Sequence, residues 1–348
     1  MSGTIPIGKM KFTIFGRGYD DERGNSGAGE KQSTVLNISA TMAEFDKTGA
    51  YCWIVTNSGL FKYETTNWTT VDQGDVPRAC NWITKPKNNA NGYGLALLPS
   101  DNSFYLFNLT TNEVIKSGGG YSIVGAVDCI DIGDNKYRFC SLQKNYGQGS
   151  NYFYTVDLSD LSVTPSGVFS PRAFVGFLDE DDVYAFYSPT WFYQYKSIFS
   201  FNISGATNWA QTASEAGSAG FTSVSMEGAT KNGKIYVPTL VNGVWTMGEY
   251  NGMSQVNFNS PNPIRTFGRL QNDMTYSSAG VSTIYTGNRS SAVMRFDNEI
   301  YFTDFNDVHF ITKYTEGFIK PLAMTDSMIL CIKSPQSTGG IIMEVFEF

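Results

Sequence analysis

Phe45-Asp46-Lys47-Thr48-Gly49-Ala50-Tyr51-Cys52-Trp53-Ile54-Val55-Thr56-Asn57-Ser58-Gly59-Leu60-Phe61-Lys62-Tyr63 is the clearest structural unit in the chain. It opens on a polar turn, passes into an apolar run rich in β-formers, reverses at Asn-Ser-Gly and returns as a second strand. In that second strand Phe61 and Tyr63 alternate with Lys62. Aromatic and β-branched residues suit a pleated, half-buried backbone, whereas Asn, Asp and Gly suit turns. The segment therefore predicts a turn, a buried strand and a hairpin.

Weaker copies follow. Asn88–Gly92 leads into Tyr93-Gly94-Leu95-Ala96-Leu97-Leu98 and Phe104-Tyr105-Leu106-Phe107, and Asp131–Asn135 leads into Tyr137-Arg138-Phe139-Cys140 and Tyr152–Val156. The series continues from Asp179-Glu180-Asp181-Asp182, Lys231-Asn232-Gly233, Asp297-Asn298 and Asp326-Ser327. Early corners recur roughly every 40–50 residues, the period of a four-stranded propeller blade. A small twisted sheet cannot bury both faces alone, and packing several radially does so while protecting their edges. No segment carries a sustained helical apolar stripe with capping signals. The prediction is an all-β protein, a β-propeller of seven four-stranded blades, with six as the alternative count and a two-domain β-sandwich as the competing architecture.

The expected organisation is one domain over residues 1–348. Residues 7–15, where Met10, Phe12 and Ile14 alternate with Lys11 and Thr13, form an N-terminal strand that closes the last blade. Residues 16–34 form a loop, residues 35–348 form the blades, and an insertion falls at about 261–289.

Composition limits the function classes. Apolar residues make up 41% and aromatics 15%, enough for a substantial core, while charged residues are only 16%. The net charge of −7 is spread along the chain without the basic face that a phosphate backbone requires, so nucleic acid is not expected as a partner. Cys52, Cys80, Cys129, Cys140 and Cys331 lack Cys-x-x-Cys spacing and read as free buried thiols. Met1-Ser2-Gly3-Thr4-Ile5-Pro6 shows no secretory pattern, and no apolar run approaches a membrane-spanning length. A virion or cytoplasmic location is the expectation, with no membrane insertion.

Few residues point to chemistry. Gly24–Thr34 superficially matches a phosphate-binding loop, but Glu30 intervenes between the last glycine and Lys31, and no helix pattern follows. The single histidine, His309, sits in a strand pattern and supplies neither a multi-histidine metal site nor the base of a triad. Asp179–Asp182 lacks the spacing of a calcium loop and reads as a solvated turn. No catalytic residue, cofactor or metal is predicted. Carboxylates such as Asp128, Asp131, Glu180, Glu249 and Asp304 are the remaining route to glycoside cleavage, which needs two of them across one bond. The candidate binding residues are Trp191, Phe192, Tyr193 and Tyr195, in an aromatic stretch that separates two strands where turn residues are normal. Exposed Trp and Tyr give large contact area at small entropic cost.

Residues 53–63, with a Trp strand, a polar-Gly turn and a Leu-aromatic-basic-Tyr strand, resemble the blade motif of regulator-type sensor propellers and, more loosely, the corner of sialidase-type propellers. That resemblance implies the fold and no site. The sialidase Ser-x-Asp-x-Gly-x-Thr-Trp box and the signatures of kelch and WD40 repeats are missing. The acidic, Gly-, Asn- and Tyr-rich character also resembles bacteriophage tail or head-appendage proteins. The expected function is a non-enzymatic interaction or structural module of a virion or other large assembly, with protein partners and a cell-surface glycan as a further possible contact. The alternative is a carbohydrate-binding or glycoside-cleaving propeller.

Overall fold

The computed structural model describes residues 11–12, 32–36, 38–88, 91–118, 126–141, 152–165, 173–177, 182–187, 195–202, 210–218, 229–251, 262–270, 283–285, 290–296, 299–335 and 342–347. Two strands precede the first complete blade, β1 (Lys11–Phe12) and β2 (Gln32–Leu36). That blade is β3 (Ala40–Phe45), β4 (Tyr51–Thr56), β5 (Gly59–Glu64) and β6 (Thr69–Thr70).

Strand β4 is buried along its centre because both its faces meet a neighbouring blade. Cys52 and Ile54 pack toward the chain-end sheet with Leu330, Met343 and Val345. Trp53 and Val55 pack the other way, with Ile83, Ala96 and Phe107. Side chains alternate across a strand, so one apolar run serves two interfaces. The β4–β5 hairpin turns on Asn57-Ser58 into Gly59, whose φ is +116°. The Leu60 amide donates to the Arg78 carbonyl at 2.8 Å, bringing the incoming connection so close that a Cβ on Gly59 would lie 1.9 Å from that oxygen. Only glycine fits there.

The second blade is β7 (Trp82–Thr84), β8 (Tyr93–Leu98), β9 (Ser103–Asn108) and β10 (Val114–Gly118). The third is β11 (Ala126–Asp131), β12 (Lys136–Ser141), β13 (Tyr152–Asp157) and β14 (Val163–Pro165). The fourth is β15 (Ala173–Phe177), β16 (Asp182–Tyr187), β17 (Tyr195–Asn202) and β18 (Ala210–Ser218). The fifth is β19 (Ala229–Lys231), β20 (Lys234–Val241), β21 (Val244–Tyr250) and β22 (Arg265–Phe267). The sixth is β23 (Thr283–Tyr285), β24 (Ala292–Phe296), β25 (Glu299–Thr303) and β26 (Val308–Lys313). The chain ends with β27 (Gly317–Met324), β28 (Met328–Pro335) and β29 (Ile342–Glu347).

Each of the six complete sheets is an antiparallel meander. The seventh has the order β1-β2-β29-β28-β27, so the N-terminal part of the chain supplies its outer strands. The first strands touch in succession from β27 through β3, β7, β11 and β15 to β19, and β23 touches β27. Between the fifth and sixth blades the Tyr236 and Phe305 rings lie 4.8 Å apart, inside a shared cluster with Ala229, Met247, Met294 and Tyr301. The sheets thus form a closed ring of seven blades, the β-propeller expected from the repeat.

Four local expectations change. All five residues of β2 pair with β29, from Gln32 opposite Glu347 to Leu36 opposite Met343, so the closing strand begins in the stretch read as a loop, at residues 32–34, and ends in the first two residues assigned to the blades. An outer strand shows water one side and needs few apolar residues, and among the described side chains of β2 only Leu36 is deeply buried while Val35 is 41% exposed. Within residues 7–15, the described pair Lys11–Phe12 lies outside β2 as a fifth strand. The expected insertion at 261–289 contains β22 and β23, each three residues long and therefore without a visible alternation. Asp297-Asn298 joins the second and third strands of its blade, so the sixth repeat is out of register by one strand. Lys62, which alternates with Phe61 and Tyr63 along β5, is 3% exposed.

Candidate interaction surface

Strands alternate in direction, so the connections of each blade divide between two faces of the ring. Connections from first to second and from third to fourth strands share one face, the turn face. Those from second to third strands, and from blade to blade, share the other, the connector face.

The turn face is tied together by a repeated device. The third-to-fourth connections run Leu109–Glu113, Leu158–Ser162 and Asp304–Asp307 in blades two, three and six. Each is folded by an Asx side chain. Asn108 Oδ1 accepts from the Thr110 and Thr111 amides at 2.9 and 3.0 Å. Asp157 Oδ1 accepts from Ser159 at 2.9 Å, and Asp304 Oδ1 accepts from Asn306 and Asp307 at 2.8 Å each. Each also holds one residue in the left-handed region, Asn112 at φ 70°, Leu161 at 58° and Phe305 at 68°. Such Asx turns expose main-chain carbonyls at a fixed position.

Those carbonyls receive basic side chains from the preceding blade. Lys62 Nζ donates to the Thr110 carbonyl at 2.6 Å and to Asn112 Oδ1, and it sits 3.7 Å from the Tyr51 ring centre. Lys116 donates to the Ser159 carbonyl, and Arg265 Nη2 donates to the Phe305 carbonyl at 2.7 Å. Trp53 Nε1 adds a 2.8 Å bond to the Leu109 carbonyl. Burial pulls the Lys62 ammonium below its usual range, opposed by Asp46 and Asp72. This device was legible as Asn108-Leu109-Thr110-Thr111-Asn112 and Asp157-Leu158-Ser159-Asp160-Leu161, but the repeat reading aligned the leading corners instead.

The carboxylates considered for catalysis have structural occupations. Glu249, 4% exposed, pairs with Lys234 and with Arg265, the latter at 2.7 Å. Burial pushes its carboxyl up, but hydrogen bonds from Lys234 and Arg265 outweigh that and hold it below the ordinary value. Asp304 folds its own exposed turn, and Asp131 Oδ1 accepts from the Gly133 amide at 2.8 Å. The three sit on different blades with different partners. Glu180 and the side chain of Asp128 lie outside the described residues. Elsewhere Glu44 pairs with Lys87 at 2.6 Å, Glu299 with Lys313 at 3.2 Å, and Glu344 with Lys333. Among the described residues no group of three His, Cys, Asp or Glu is arranged to hold a metal ion.

His309 is exposed on β26, its ring 6.2 Å from that of Phe302. Cys52, Cys80, Cys129 and Cys331 are buried thiols outside any disulfide, and burial pushes the Cys80 thiol up to about 12. The side chain of Cys140 lies outside the described residues. Among the described residues no helix is long and apolar enough to cross a membrane.

Of the aromatic candidates, Trp191, Phe192 and Tyr193 lie outside the described residues. Tyr195 opens β17 opposite Ser218. Strands β16 and β17, the second and third of the fourth blade, pair from Asp182 and Asn202 to Tyr187 and Ser197.

Neither a protein-family profile nor a curated protein sequence matches the chain. Solved structures do. A chain from a crystal structure of the Mitotic Checkpoint Complex matches with TM-score 0.51 and 6% identity, over 90% of this chain and 93% of that one. The WD40 domain of Toxoplasma gondii coronin matches with TM-score 0.49 and 7% identity, over 91% and 86%. The β-propeller domain of Myceliophteria thermophila Cps50 (Swd1) matches with TM-score 0.46 and 9% identity, over 90% and 98%. At such identities the likeness concerns fold alone, and the ring of four-stranded antiparallel sheets itself makes the chain a β-propeller.

Proposed function

We propose that this propeller is a non-enzymatic interaction module within a large assembly, a phage virion being the setting its composition suits best, and that it contacts protein partners through the connector face. The observation that carries this reading is the division of labour between the faces. The described turns of the turn face are short, and their Asx side chains and carbonyls are used for holding blades together. The connector face is left for a partner, and the aromatic stretch Trp191–Tyr195 falls in the sequence between a second and a third strand, β16 and β17. Glu249, Asp131 and Asp304 are each committed to a structural bond, which supports binding over hydrolysis.

The test is to isolate the chain from its native source without denaturant and size it, beside a variant with Trp191→Ala, Phe192→Ala, Tyr193→Ala and Tyr195→Ala. Recovery of the wild type in a particle of fixed stoichiometry, and of the folded variant free of it, is the expected result. A free monomer that cleaves glycans overturns the reading.

A further inference from the structure

The sheet that closes the ring has one strand more than the other six. Beyond its fourth strand, β2, lies β1, with Lys11 opposite Thr34 and Phe12 opposite Ser33. Among the described residues no other blade has a strand outside its fourth. Strand β2 is paired along all five residues on its inner side, but on its outer side only Ser33 and Thr34 have a described partner. Val35 and Leu36 continue that edge, and Val35 is one of the exposed large apolar residues of the protein.

The β1–β2 pairing is not a hairpin. Tight hairpins use two to five residues, and the turn then fixes both register and partner. Here the strand ends at Phe12 and its partner begins at Gln32. Residues 13–31 can span on the order of 60 Å at ~3.3 Å per residue, more than a blade's width. Main-chain ladder bonds do not depend on which chain donates the strand. We propose that the outer edge of β2 is a strand-acceptor site, and that when copies of this chain are brought together its occupant is Lys11–Phe12 of a second copy. The exchange is reciprocal, each copy giving one strand and receiving one, so it closes on a pair. Propeller closure survives it, because β2 stays on its own β29. This surface is distinct from the connector face, and the proposal does not rest on the function proposed there.

Cross-strand partners in an antiparallel pair lie within disulfide reach, so the exchange can be trapped. Phe12→Cys protein is mixed with Ser33→Cys protein under mild oxidation, at dilute and at roughly millimolar concentration, the range at which a neighbour competes with a tethered strand. Thr69→Cys, on the exposed outer strand of the first blade, serves as the non-specific acceptor. The proposal predicts a heterodimer joined by a disulfide between positions 12 and 33, identified by mass of the linked peptides, at roughly tenfold the yield obtained with Thr69→Cys. The double variant, when dilute, forms the same bond within one chain. Equal trapping by Ser33→Cys and Thr69→Cys overturns the proposal. So does a double variant that cross-links internally while the mixed single variants yield no heterodimer at any concentration.

Discussion

Gly59 shows how tightly single positions are specified in the first blade. Its φ of +116° and the Arg78 carbonyl 1.9 Å from any added Cβ exclude a side chain from both backbone and space. Gly59→Ala is expected to cost about 2–4 kcal/mol, combining strain at a glycine-only conformation with loss of the adjoining main-chain bond. Thermal or urea unfolding measures it. Lys62 is a second such position: replacing it with Met leaves the Thr110 carbonyl and Asn112 Oδ1 without their donor, for an expected loss of about 1–3 kcal/mol. Asn112→Ala in the same background should then add little, because the two share one interaction. The acid limb belongs to Glu249, whose folded-state carboxyl lies below its unfolded value. Its contribution is therefore fully present above the unfolded value of ~4.3 and is lost as pH falls through the lower, folded one. The stability gap between wild type and Glu249→Gln should be constant near neutrality and shrink below about pH 4.

At the scale of strands, burial decided what could be read in advance. The second strands were legible because Trp53, Leu95, Phe139 and Tyr236 lie in runs buried between two blades. The outer strands were not: β6, β14 and β22 have two or three residues each, too few for a pattern, and β2 presents Gln32, Ser33 and Thr34 like a loop. Local alternation leaves the place of Lys62 open for a related reason. Alternation in a blade divides two buried interfaces, so a basic residue opposite aromatic ones can still be interior if a carbonyl awaits it. That carbonyl comes from an Asx turn some 50 residues later, beyond the reach of local pattern. The aromatic 188–194 segment was legible as an anomaly only, since nothing local says what meets it. Leu36 is the element-scale test of closure. It is 2% exposed in the cluster joining the chain-end sheet to the first blade, and Leu36→Ala should cost about 2–4 kcal/mol, whereas Val35→Ala on the exposed side should fall within roughly 0.5 kcal/mol of wild type.

For the whole molecule, ring closure turns local sheets into one cooperative structure. Seven blades each bury their faces against two neighbours, so an opened seam exposes two sheet faces and one edge together. The seam here depends on a five-residue strand contributed from the start of the sequence to a sheet built at its end. Closure therefore predicts a sharp boundary within a few residues. Unfolding of the full chain should be compared with that of chains beginning at residue 32 and at residue 38. The first truncation keeps β2, and it should unfold in a single transition within about 2 °C of the full chain. The second removes β2, and its midpoint should fall by roughly 10 °C or more, or its transition should split. If the chain beginning at residue 38 unfolds at the same midpoint as the one beginning at residue 32, the ring is not closed by Gln32–Leu36.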